Sequence, residues 1–216
     1  MARHHEPNRP VTDEQIADLL AIPGDTRPTL WRTPPTAQPG NLSPHLSRLL
    51  LDGHTKVGDV VIDVDDDIAF AATAAATGRR HHALGGERHL ASLGHAAGYI
   101  DLILLHWPRP SVNPHWLLLA CRSLLRTAGC VVIAVSVDAP QRVAHLSALG
   151  GAASTAGLRA PHHVAVLAPT DSTANRRPGS TEATPAADHA EPPTLDRHTP
   201  DPHTDLLIFE PAAVSR

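Results

Sequence analysis

A mainly parallel α/β sheet, with helices on both faces and a closing antiparallel hairpin, is the fold class that the sequence predicts. Three observations carry that expectation. Short runs rich in β-branched residues, such as "DVVIDV" and "CVVIAVSV", have the pattern of strands buried on both faces. Capped helical segments alternate with those runs, as in a parallel sheet with crossover helices. The last two strand candidates, "HHVAVLA" and "DLLIFEP", have no helix between them and so suggest an antiparallel pair.

The elements follow in order. "TDEQIADLLAI" reads as a helix with Thr12 as cap, acids in its first turn, Ile16, Leu19 and Leu20 on one face, and Pro23–Gly24 as the stop. A proline-punctuated loop to about Pro39 comes next, with Trp31 as its anchor to the domain or as part of a cleft. "SPHLSRLLLDG" then supplies Ser43 as cap, Pro44 at the first helical position and Gly53 as terminator. After the first strand, "IAFAATAAATG" reads as a helix packed closely on a sheet, "RRHHAL" as a second strand and Glu87 to Leu93 as a short helix. "YIDLILLHW" is a strand ended by Pro108 and Pro110. Asn113 and Pro114 start a helix expected to run to a glycine cap at Gly129, and another helix runs from Pro140 to the Gly150–Gly151 pair, with a looser piece to Leu158.

Composition bounds the rest. A chain of 216 residues that is 42% hydrophobic suits one domain. The 21 prolines cluster from Arg9 to Pro44 and from Pro169 to Pro202, and such segments imply about 60 to 70 residues of loop or disorder. The expected division is an N-terminal helix and proline-rich loop (1–40), an α/β core (41–168), a disordered proline-rich insert (169–204), and a final strand with tail (205–216). A net charge of −4 gives no general pull toward phosphate backbones, so any nucleic-acid contact needs a local patch. Cys121 and Cys130 are too few for a disulfide framework, and "MARHHEPNRP" has no apolar signal segment, which together suggest a cytoplasmic protein without membrane contact. Both cysteines read as packing residues.

The order of elements is that of the class I S-adenosylmethionine-dependent methyltransferases, whose sheet ends in such a hairpin. More narrowly, "QPGNLSPHLSRLLLDGHTKVGDVVIDVDDD" resembles the opening of the bacterial DNA amino-methyltransferases of the N4-cytosine and N6-adenine type, "HPAK..P", "PGD" and "VLDPF.GSGTT". Pro39 and Pro44 fall on that family's prolines, Gly58 and Asp59 on its "GD", and Asp63 on its strand-end aspartate. "GRR" at Gly78 to Arg80 recurs in place, "DLILLHWPRP" falls where the family has "DLVLTSPPYG", and "DLLIFEP" resembles a closing strand of its members. The resemblance implies a Rossmann-like fold, S-adenosylmethionine as cofactor, methyl transfer to an exocyclic base nitrogen, and nucleic acid as partner, DNA before RNA.

Three departures fall in the site that the resemblance implies. Asp65, Asp66 and Asp67 stand in the turn where the family has glycines that let the backbone approach the cofactor. Those carboxylates repel one another and the cofactor's own carboxylate, but attract its ammonium and sulfonium groups; they also suit a helix N-terminus. The family's ribose-binding acid aligns with Gly85, and Glu87 is the nearest acid. The "[DNS]PP[YFW]" base site is rewritten as His106, Trp107, Pro108 and Arg109. A neutral His106 that accepts a hydrogen bond and a stacking Trp107 would rebuild a base site; loss of that geometry would leave a silent protein that binds nucleic acid or a protein partner. Asp63, Asp65, Asp67 and Glu87 are therefore the expected cofactor residues and His106 to Arg109 the expected catalytic ones. An RNA base methyltransferase is a further alternative. From Glu87 to Asp101 the chain is shorter than the family's, which points to a strand–helix unit that is reduced or absent. The adjacent histidine pairs lack chelating geometry, so no metal site is expected, and Arg79, Arg80 and Arg88 are candidate phosphate contacts.

Overall fold

A computed structural model describes residues 12–14, 17, 28–33, 41–167 and 204–212. Most of the expected first helix, the proline loop at 34–40 and the segment 168–203 lie outside the described residues. Seven strands form one open sheet: β1 (Thr29–Arg32), β2 (Val60–Asp63), β3 (Arg80–Ala83), β4 (Ile100–Trp107), β5 (Leu125–Val135), β6 (Leu158–Leu167) and β7 (Thr204–Pro211). Their spatial order is β1-β6-β7-β5-β4-β2-β3. All neighbours are parallel except β7, which runs antiparallel to both β5 and β6. The fold is thus a mixed, Rossmann-like α/β sheet with the expected closing hairpin.

Alternation along the strands sorts side chains onto two apolar layers. On one face Val61, Leu102, Leu104, Val132 and Ala134 pack with Leu46, Leu50 and Leu51 of α1 (Pro44–His54) and with Phe70 and Ala74 of α2 (Ile68–Ala76). On the other, Ile62, Ile103, Leu105, Val131 and Ile133 pack with Leu117, Leu118, Cys121 and Leu124 of α3 (Pro114–Leu124) and with Leu146, Leu149 and Ala153 of α4 (Ala139–Thr155). Each apolar side chain fully removed from water here is worth about 1.5–3 kcal/mol.

Local chemistry explains most boundaries and corrects several expected ones. Ser43 and Asn113 cap α1 and α3, accepting from Leu46 N, and from His115 N and Trp116 N. Helix α1 does not stop at Gly53 but runs to His54. Its end is fixed because the Thr55 amide and hydroxyl both donate to Leu51 O, while the Arg79 guanidinium donates to Leu51 O and Thr55 O.

Helix α3 ends at Leu124 rather than at Gly129, and the residues expected as its last turn open β5. Gly129 instead lies against β4: a Cβ there would sit 2.7 Å from Ile100 O and 2.9 Å from Asp101 O. Helix α4 continues through Gly150 and Gly151 to Thr155, since burial of Leu146, Leu149 and Ala153 on its inner face outweighs the glycines' helix cost of about 1 kcal/mol each. Glu87–Ala96 is a 3₁₀ segment, and it is all that stands between β3 and β4, so the strand–helix unit is reduced there. Thr29–Arg32, read from the sequence as loop, is an edge strand parallel to β6, with Trp31 packed against the α1/α2 layer.

Candidate functional site

Strand β2 lies between β3 and β4, and the chain leaves it first to one side and then returns on the other. In an open parallel sheet that reversal leaves a crevice beyond the carboxyl ends of the strands, where ligands bind. The β2–α2 turn, the residues after β3 and the β4–α3 loop all converge on it.

The turn is organised by Asp63. Its carboxylate, fully buried, accepts from Asp65 N at 3.0 Å and Asp67 N at 2.6 Å, while His81 Nε2 lies 3.5 Å away. Burial pushes the Asp63 carboxyl above its usual range, against those amides and His81. Asp66 adopts φ 61°, the left-handed conformation that a glycine turn would use and that aspartate tolerates better than most residues. Asp67 is the N-cap of α2: it accepts from Phe70 N at 2.9 Å and also from Leu42 N at 2.7 Å. Burial raises its carboxyl too, but His106 and these two amides outweigh that and hold Asp67 below the ordinary carboxylate range.

Arg109 of the β4–α3 loop reaches across the crevice. Its Nη2 donates to both carboxylate oxygens of Asp65, and its Nη1 donates to Glu87 Oε2 at 2.7 Å. The Arg109 side chain is 10% exposed, and its Nε–H has no acceptor among the described residues. The other oxygen contact of Asp65 comes from the backbone, His106 N at 2.7 Å. The His106 imidazole places Nε2 3.5 Å from Asp67 Oδ2. Glu87 sits below its usual range, held there by its own backbone amide and by Arg109. The mutual repulsion expected of Asp65, Asp66 and Asp67 is thus relieved by separation: Asp67 faces His106, Asp65 faces Arg109, and Asp66 is exposed.

The eight expected site residues therefore meet around one crevice, with one exception in orientation. Trp107 turns inward, 7% exposed, and its Nε1 donates to His145 Nδ1 of α4 at 3.1 Å; an indole packed into the core offers no free face for stacking on a base. Pro108 is exposed. Past β3, Gly85 and Gly86 have φ 66° and 140°, and a Cβ on either would meet nothing within 4 Å, so space is open beside Glu87.

Sequence reasoning missed His81 beneath Asp63, His145 beneath Trp107 and the amide of Leu42 on Asp67; no local pattern marks contacts made across such chain separations. Arg79, expected as a phosphate contact, is spent on the end of α1 and on Asp52, and Arg80 donates to Gly58 O. Cys121 and Cys130 are buried, and burial pushes both thiols up to about 12, which keeps them un-ionised. Among the described residues no three His, Cys, Asp or Glu side chains are placed to hold a metal ion, and no helix is long and apolar enough to cross a membrane.

No family model matches the chain, and no curated protein matches it. Solved structures do resemble it in fold. A S-adenosylmethionine-dependent methyltransferase from Archaeoglobus fulgidus matches at 14% identity and a TM-score of 0.49, over 78% of this chain and 94% of that one. A methyltransferase solved in complex with the Haloferax volcanii Trm112 activator matches at 16% identity and 0.48, over 75% and 86%. Geranyl diphosphate methyltransferase, solved with S-adenosylmethionine, matches at 15% and 0.42, over 56% and 67%. Across three structures of that kind of enzyme, this chain spans 60% to 67% of their length.

Proposed function

We propose that this chain is a S-adenosylmethionine-dependent methyltransferase whose target is an exocyclic base nitrogen of a nucleic acid, DNA before RNA. The observation that carries this reading is the crevice at the β2/β4 reversal, where a buried strand-end acid, Asp63, organises the turn and two carboxylates beyond it, Asp65 and Glu87, surround a cation. The fit to the cofactor rests on that cation. The guanidinium of Arg109 stands in for a donor-rich group, so Asp65 and Glu87 have the chemistry and placement to take an ammonium and ribose hydroxyls, with open space beside Gly85 and Gly86.

When bound, the cofactor supplies an electrophilic methyl group on its sulfonium. Asp63 would hold the turn rigid and Asp65 and Glu87 would orient the ligand. His106, held at the crevice by its backbone bond to Asp65, would accept a hydrogen bond from the target amino group at a ring nitrogen.

A second reading has a specific observation behind it. The inward Trp107 and the Arg109 bridge suit a silent member that binds nucleic acid or a protein partner without catalysis. Calorimetric titration with S-adenosylmethionine and S-adenosylhomocysteine separates the two. Binding of both, lost in Asp63→Ala, is the expected result, followed by transfer of labelled methyl to DNA. No heat with either ligand would sink the enzyme reading, and a salt-dependent gel shift of nucleic acid would then favour the silent binder.

A further inference from the structure

We infer that Arg109 is a latch on this crevice: its guanidinium holds Asp65 and Glu87 together, and a ligand reaches those carboxylates only by displacing it. The inference rests on the cofactor reading above and goes beyond it by assigning regulation to a residue of the opposite loop. Asp65 belongs to the β2–α2 turn, Glu87 to the segment after β3, and Arg109 to the loop after β4, so one side chain ties together all three walls. The bridge is charge-assisted and two-armed, with both oxygens of Asp65 taken by Nη2 and Glu87 Oε2 taken by Nη1 at 2.7 Å.

The guanidinium is the most buried member of the bridge. The Arg109 side chain is 10% exposed and those of Asp65 and Glu87 are 28% and 21% exposed, so a cation entering the crevice must either share the carboxylates with a guanidinium or expel it. Like charges at that distance disfavour sharing. Among the described residues the Arg109 Nε–H has no acceptor, so the guanidinium has donor capacity left for another acceptor once it swings out.

If the closed arrangement holds about nine-tenths of the molecules, the apparent affinity for the ligand falls about tenfold, because only the open fraction binds. The test is titration of the full chain with S-adenosylhomocysteine in three forms: natural, Arg109→Gln and Arg109→Lys, each first shown to fold by circular dichroism. A latch requires that Arg109→Gln bind about tenfold more tightly than the natural chain. Arg109→Lys, which keeps the charge but cannot bridge as a planar fork, should fall between them. In the natural chain, saturation with the ligand should also raise the reactivity of Arg109 toward phenylglyoxal, read by peptide mass spectrometry.

Equal or weaker binding by Arg109→Gln, with the natural chain binding well, overturns the latch and leaves the cofactor reading standing. Failure of all three forms to bind overturns both.

Discussion

Asp67 shows how a residue read as one of a like-charged trio takes on a distinct task. It is buried, caps α2 and receives a second amide from Leu42, so its ionised form is stabilised by the fold. A carboxyl depressed in the folded state contributes stability that is fully present above its ordinary pKa of about 3.9 and is lost as pH falls through the depressed folded value. Asp67→Asn should therefore be about 1–2 kcal/mol less stable than the natural chain near pH 7. That gap should close as pH drops below about 4. Asp63, pushed upward by burial, works with the opposite sign, so the difference between the two chains in urea denaturation is the informative quantity, not either curve alone. At this scale the resemblance to a family pointed to the acids at the strand end and turn, and the structure brings Asp65 and Glu87 onto one guanidinium. The sequence did not show their partners, because Arg109 and His106 are about forty residues away along the chain and meet them only across the crevice.

At the scale of elements, glycines mark the difference between pattern and environment. Gly129 looks like a helix stop in the sequence, yet it lies in β5 against two carbonyls of β4. Gly150 looks like a stop too, but it lies within α4 with nothing within 4 Å of a Cβ. Opposite outcomes follow for the same substitution. Gly129→Ala should destabilise by about 1–3 kcal/mol, because the backbone of β4 must move. Gly150→Ala should stabilise by about 0.5–1 kcal/mol, the helix-propensity gain. Thermal and chemical denaturation of the two variants checks both signs at once. Capping residues behaved differently: Ser43 and Asn113 were legible because a cap acts within three residues of itself.

For the whole molecule, the antiparallel placement of β7 between β5 and β6 joins the two ends of the open sheet into one. Its first residues are held from two sides: Asp205 pairs with Arg142 of α4 at 2.6 Å and with His163 of β6 at 2.8 Å, all three buried. Val166 pairs with Thr204, so the two strands face each other directly where residues 168–203 connect them. We expect that replacing residues 169–202 by a turn of about four residues preserves the sheet, since a short hairpin loop satisfies the same pairing. The check is an unchanged circular dichroism spectrum and a single cooperative melt; loss of either would show that the excised segment is part of the fold.

By itself, the sequence determined the fold class, the alternation of strands and helices, and the closing hairpin, which follow from period, caps and stops written in neighbouring residues. The shortened stretch between β3 and β4 and the candidate site residues came instead from the chain's resemblance to a family. Only the tertiary structure decided that Thr29–Arg32 completes the sheet edge, that Trp107 turns into the core, and that Arg109 bridges Asp65 and Glu87. Each depends on what another part of the chain presents at that point in space: a free edge on β6, a ring nitrogen on α4, two uncompensated carboxylates across a crevice. Such complementarity has no period along the chain.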